Sequence, residues 1–229
     1  MNMQTWQWLN SGACAYDYNM ALDQALMDLA PQTAGPVLRF YGWTEPAASF
    51  GYSQRYADIE VITVLRPLVR RPTGGGLVPH AADWTYSLAF PPTHAWYKLK
   101  AAESYERVHQ WICDAFTALG VSTSLAPCAV NEGPGQCFIG AEKSDLLWRG
   151  RKVAGAAQRR THNGLLIQGS IQPPSVGLAR NAWEESMLRI AEKHWGACWS
   201  ALQPGPSLIA LTDELRRTKY SQAAFNQRR

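Results

Sequence analysis

The sequence predicts an α+β fold, a mixed and mainly antiparallel sheet packed by helices. Three observations carry this. Segments of alternating or continuous apolar character cluster in the middle of the chain, helical periodicity appears before, between and after them, and turn residues join them at short intervals. No linker-like stretch divides the 229 residues, so one domain over residues 1–229 is expected.

From the N-terminus, Asp17 to Ala30 places Met20, Ala21, Ala25, Leu26 and Leu29 on one helical face, with Asp17 as N-cap and Pro31 as a stop. "PVLRFYGW" and "AASFGY" read as strands parted by a Glu-Pro turn, whereas "DIEVITVL" fits a helix or a strand. "DWTYSLAF" alternates like a strand. Ala101 to Leu119 is the strongest helix, with Tyr105, Val108, Ile112, Ala115 and Phe116 on one side and Gly120 after it. "SDLLW" and "KVAGAAQ" meet at Arg149-Gly150-Arg151, a turn suited to a hairpin, and "GLLIQGSIQ" is a further strand. "NAWEESMLRIAEKH" is helical, and a final helix is expected from Thr212 to Phe225.

Composition narrows the class of function. Hydrophobic residues at 46% and charged residues at 17% describe a globular chain. No apolar run approaches the roughly 20 residues that span a bilayer, and the N-terminus lacks a basic stretch followed by an apolar one. A cytoplasmic protein without a membrane partner is expected. A net charge of +4 is too small to indicate nucleic acid. Arg216, Arg217, Lys219, Arg228 and Arg229 fit a solvated helix and tail, or a face that docks an acidic protein. Cys14, Cys113, Cys128, Cys137 and Cys198 are odd in number and form no C-x-x-C, and the five histidines show no ligand spacing, so neither a disulfide framework nor a metal site is expected.

The segment "RRPTGGGLVPHAADW" poses the functional question. Gly74, Gly75 and Gly76 in a row cost entropy and pack nothing, which fits either a bulge at a sheet edge or a ligand pressed against bare main chain beside arginine. His80 orients a ligand or caps the strand; Asp83 pairs with a cation or simply begins it. Lys152, entering a strand of small residues at "GRKVAGAAQ", is a surface lysine at a hairpin or a cation for the polar end of an elongated substrate. Cys137, fifteen positions earlier, is an inert thiol or a nucleophile made reactive by a nearby ammonium. The P-loop, the dinucleotide fingerprint and the Gly-x-Ser-x-Gly elbow are all absent.

Taken together, "NMALDQALM", "PVLRFYGWTEPAASFGYSQ", "RRPTGGGLVPH", "GRKVAGAAQRR" and "LLIQGSI" resemble, in identity and order, the biotin/lipoate A/B protein ligase superfamily over about Asn19 to Gln172. The resemblance implies that family's catalytic-domain fold and the attachment of octanoyl or lipoyl groups to a lysine of lipoyl-domain acceptor proteins. Two mechanisms are implied. In cysteine-dependent octanoyltransferases no ATP is needed, acyl carrier protein is the donor, Cys137 matches the acyl-carrying cysteine and Lys152 the lysine that lowers its pKa. In lipoate–protein ligases, ATP and magnesium make lipoyl-AMP, Arg71 and the backbone of Gly76, Leu77, Val78 and Pro79 match the nucleotide site, and Lys152 contacts the acyl carbonyl. Gly74, Gly75, His80, Gly155 and Ala157 complete the expected substrate site. The chain departs from the ligase pattern at Ala81, Asp83 and Trp84, where ligases carry aspartate, glycine and asparagine. The transferase is therefore the expected activity, and the residues after about 175 appear too few for a ligase's accessory domain.

Overall fold

The computed structural model describes residues 3–129, 138 and 140–228. Strand β1 (Gln4–Cys14) runs into helix α1 (Tyr16–Asp28), followed by β2 (Val37–Trp43), β3 (Ala47–Phe50), the short helix α2 (Tyr56–Glu60), β4 (Leu68–Arg70), β5 (Val78–His80) and β6 (Trp84–Phe90). Helix α3 (Ala101–Thr117) precedes β7 (Ser124–Leu125), β8 (Leu146–Trp148), β9 (Arg151–Thr161) and β10 (Gly164–Ile171). Then come α4 (Arg180–Trp195), β11 (Ala197–Ala201), α5 (Pro206–Leu215) and α6 (Ala223–Asn226).

Among the described residues, eight strands form the main sheet in the order β11-β1-β2-β6-β10-β9-β8-β7, and β4-β3-β5 form a small second sheet. The middle of the main sheet is antiparallel, as expected, while β1 joins both β2 and β11 in parallel. Arg149 (φ 50) and Gly150 (φ 77) lie in the left-handed region at the β8–β9 turn, which matches the right-handed twist of a two-residue hairpin. No helix among the described residues is long and apolar enough to cross a membrane.

Strand alternation sorts the two faces. Trp84, Tyr86, Leu88 and Phe90 of β6 enter the large core, where Trp111, Ile112 and Phe116 of α3 and Trp183 and Met187 of α4 cover the sheet. The opposite face carries Leu22, Ala25 and Leu26 of α1 against Val37, Ala89 and Leu208. Several boundaries differ from the sequence reading. β1 and β11 escape it because only Trp6 of β1, and only Ala197 of β11, is buried, so neither strand alternates cleanly. Asp17 lies in the first turn of α1 rather than at its cap, and receives the Arg216 guanidinium at 3.0 Å. "DIEVITVL" ends its helix at Glu60, and the last helix is broken between α5 and α6 by a π-turn over Arg216–Tyr220.

On the α1 face the sheet is polar, and one carboxylate gathers it. Asp23, fully buried, accepts from Arg39 (2.7 Å), Ser87 (2.6 Å), Tyr41 (2.9 Å) and Gln168 (2.7 Å). Arg39, equally buried, also donates to the carbonyl and side-chain oxygens of Asn19 and to Ser11. Gln168 in turn accepts from Thr73 at 2.7 Å, which ties the glycine segment to the same cluster. Burial, and then Asp23, push the Tyr41 phenol well above its ordinary range. Removing one member of such a pair strands the other charge in the interior. Asp23→Asn should therefore cost about 3–5 kcal/mol in urea unfolding. The double change Asp23→Leu/Arg39→Met should cost less than the two single changes summed.

Candidate active site

The two adjacent arginines have separate tasks. Arg70 turns toward the C-terminal segment, donating to the carbonyls of Tyr52, Gln54, Phe225, Asn226 and Arg228. Arg71 turns inward: its Nη2 donates to the carbonyls of Gly74 (2.8 Å) and Gly76 (2.9 Å), and its Nη1 to Ser49 Oγ (2.9 Å). Gly75 holds φ +85, a conformation that disfavours any side chain. A Cβ on Gly51 would stand 2.0 Å from the Gly75 carbonyl oxygen, so the loop is laid on bare backbone.

Above this loop lies a narrow cleft whose lining includes Ser49, Arg71, Gly75, Val78, His80 and Gly155. A chain of polar groups runs along one wall. Arg71 reaches Ser49, Ser49 Oγ meets His80 Nε2 at 2.7 Å, and His80 Nδ1 meets Asp83 Oδ2 at 2.8 Å. The same Asp83 oxygen accepts from Ser170 (2.6 Å) and Thr85 (3.1 Å). Trp43 stacks on the imidazole with centroids 3.8 Å apart and bonds Thr85 through its indole nitrogen.

The second polar group stands at Gly155, directly across the β9–β10 ladder from Ser170. Lys152 Nζ and Asp145 Oδ2 form an ion pair at 2.7 Å, with side chains 5% and 0% exposed. Asp145 also accepts from the Tyr105 hydroxyl and from the Glu142 backbone at 2.6 Å. A Cβ on Gly155 would stand 2.8 Å from Lys152 Cε and 3.0 Å from Nζ, so the missing side chain is what makes room for the lysine. The ring centroid of Phe138 lies 5.4 Å from Nζ. Below the pair is His109, fully buried, whose Nδ1 bonds the Tyr105 carbonyl and whose Nε2 has no partner among the described residues. Burial pushes this imidazole down to about 4.

The expected residues thus divide. Arg71, Gly75, Val78, His80, Gly155 and Ala157 line the cleft, whereas Lys152 is not among its lining residues and stands against Gly155, which is. Gly74 and Gly76 contribute carbonyls to Arg71. Leu77 packs with Phe50 and Ile59 in the small-sheet core, and Pro79 points outward. Cys137 lies outside the described residues. The sequence reading missed Ser49 and Asp145. A serine in an apolar strand and an aspartate before a hairpin give no signal until the fold sets them beside His80 and Lys152.

Comparison with known proteins shows the family and the fold. The model of the lipoyl protein ligase A/B catalytic domain matches residues 15–172. Similar curated proteins include those named octanoyltransferase LipM from Geobacillus kaustophilus, 35% identical over 184 residues, and Staphylococcus aureus, 34% identical over 181 residues. These alignments cover 75% and 73% of this chain and 66% of each relative, so the chain spans just under two thirds of the curated relatives it matches. In fold it is similar to a lipoate-protein ligase A bound with ATP (TM-score 0.80, 18% identity, 99% of both chains). It is also similar to a bi-partite lipoate protein ligase from Thermoplasma acidophilum (TM-score 0.73, 16% identity, 99% of this chain and 97% of that one).

Two tests follow from the geometry. Gly155→Ala should leave the sheet intact but displace the Lys152–Asp145 pair, so activity should fall while the unfolding midpoint moves little. The His109 imidazole takes up a proton near pH 6.5 when unfolded but only near 4 when folded. Between those values the unfolded chain binds more protons, so this share of stability is intact above about 6.5 and is lost as pH falls toward 4. Urea titrations across that window should show a shallower acid loss in His109→Leu than in the parent.

Proposed function

Because the chain belongs to the lipoyl protein ligase A/B catalytic-domain family, we propose that it is an acyltransferase of lipoate metabolism, moving an octanoyl group from acyl carrier protein to a lipoyl-domain lysine. The observation that carries this reading is the buried Lys152–Asp145 pair, packed against the bare Gly155 that lines the cleft. Phe138, the residue after Cys137 in sequence, has its ring over the same ammonium. The relatives named octanoyltransferase support the same chemistry.

In the first half-reaction the Cys137 thiolate attacks the donor thioester, and the C–S bond to the carrier breaks as the acyl-enzyme forms. An ammonium nearby favours the thiolate and stabilises the oxyanion of the tetrahedral intermediate. In the second half-reaction the acceptor lysine nitrogen attacks the thioester, the amide forms and the cysteine sulfur leaves. The apolar wall provided by Met20, Val78 and Ala157 suits the acyl chain.

The residues present do not fit the ligase's magnesium–ATP chemistry at the positions where the two patterns differ. Trp84, standing where ligases carry asparagine, is buried against Phe116 and Trp183 in the core. The Asp83 carboxylate is already engaged by His80, Thr85 and Ser170. We place the reaction in the cytoplasm, on one catalytic domain, without ATP or metal.

Incubation with octanoyl-acyl carrier protein, without ATP, should add the mass of one octanoyl group to the protein, and Cys137→Ser should abolish that addition. Lys152→Met should slow loading roughly 10²–10³-fold. Transfer that survives in Cys137→Ser, or that requires ATP, would replace this reading with the lipoyl-AMP route.

A further inference from the structure

The acyl-transfer reading leaves one proton without a destination. An acceptor lysine arrives near neutral pH as an ammonium and ends as an amide nitrogen with one hydrogen, so it sheds two protons. The departing Cys137 sulfur takes one and gives it to solvent as the thiolate re-forms, which offsets the proton the carrier's thiolate took up in the first half-reaction. The other needs a base that the acceptor nitrogen can reach in the cleft.

Resting on that reading, we propose that Ser49 and His80 form the relay that takes this proton, with Asp83 as the residue that positions His80. The hydrogen inventory sets two of the three links in the chain. Arginine only donates, so Ser49 Oγ accepts from Arg71 Nη1. A carboxylate only accepts, so His80 Nδ1 carries its hydrogen toward Asp83 Oδ2. The relay uses the form with that hydrogen on Nδ1 and the Nε2 lone pair toward the Ser49 hydroxyl, 2.7 Å away. Ser49 keeps one lone pair for a donor in the cleft, which both residues line.

Everything around the imidazole fixes its position. Trp43 covers one face of the ring, and Thr85 and Ser170 hold the Asp83 oxygen in place. The charged groups facing it are Asp83 on its own loop and Arg71 through Ser49, with Tyr41 and Asp23 beyond on β2 and α1. Ser49 comes from β3, paired with β5 in the small sheet, so Ser49 and Val78 lie opposite each other and His80 two residues on.

In the step itself, the acceptor nitrogen passes a proton to Ser49 Oγ while the Ser49 hydroxyl proton moves to His80 Nε2. The C–N bond forms, the thioester C–S bond breaks, and the imidazolium facing Asp83 returns its proton to solvent after the product leaves. One proton is released per turnover, as the overall reaction requires.

The test separates the two half-reactions. Octanoyl-enzyme made from octanoyl-acyl carrier protein is mixed with a lipoyl domain, or with hydroxylamine, an amine already uncharged near neutral pH whose adduct loses its proton to water. For Ser49→Ala, His80→Gln and Asp83→Asn, the octanoyl-enzyme that forms is divided between the two amines, and each lysine rate is read against the same variant's hydroxylamine rate. Transfer to the lipoyl-domain lysine should slow about 10²-fold or more. The parent's rise in transfer rate with pH should flatten in His80→Gln, and Asp83→Glu should restore most of the rate lost in Asp83→Asn. Equal slowing toward both amines would make these residues structural and overturn the relay, as would unchanged lysine transfer. A parent protein that never gains octanoyl mass would overturn the acyl-transfer reading, and the relay with it.

Discussion

The Asp23 carboxylate is the interaction on which the remaining architecture depends. It lies on α1, yet its four donors come from β2, β6 and β10, so one buried charge fixes a helix to three neighbouring strands. Taking a carboxylate and a guanidinium out of water is costly, and that cost is offset only where every lone pair and hydrogen finds a partner. Here the demand for partners sets register. Ser87 and Gln168 lie directly opposite each other across β6 and β10, and both reach the same acid.

That cluster passes its order on to the cleft. Gln168 holds Thr73 at the entrance to the glycine segment. Two residues along β10, Ser170 holds Asp83, and across the ladder from Ser170 stands the bare Gly155 that houses Lys152. Strand β10 thus carries two fixings in alternation, and β9 sets the third opposite the second, each belonging to a different part of the site.

The cleft divides its charges between two walls. One is backed, behind Gly155, by a cation already matched by Asp145 and suited to stabilising negative charge on an acyl oxygen. The other holds the Ser49 hydroxyl and the His80 imidazole, backed by Asp83. A reaction that makes an oxyanion and then discards a proton uses both. Trp84, set in the core beneath the second wall, shows how one residue change turns a polar position of the ligase pattern toward packing.

By itself the sequence determined the elements with strong local signals. The long amphipathic helix α3, the alternating β6 and the β8–β9 turn needed only periodicity and a left-handed glycine to be read. The glycine-rich loop and Lys152 were likewise marked by residue types that have no cheap structural use. Tertiary structure decided what local chemistry leaves ambiguous. It sent Arg70 to the C-terminal segment and Arg71 to the loop, though the two are neighbours with the same side chain. It added β1 and β11 as parallel edge strands whose half-exposed faces hide their period. It also supplied Asp145 and Ser49, because the partner of a buried charge or imidazole is set by which backbones the fold brings within 3 Å, and sequence separation carries no record of that distance.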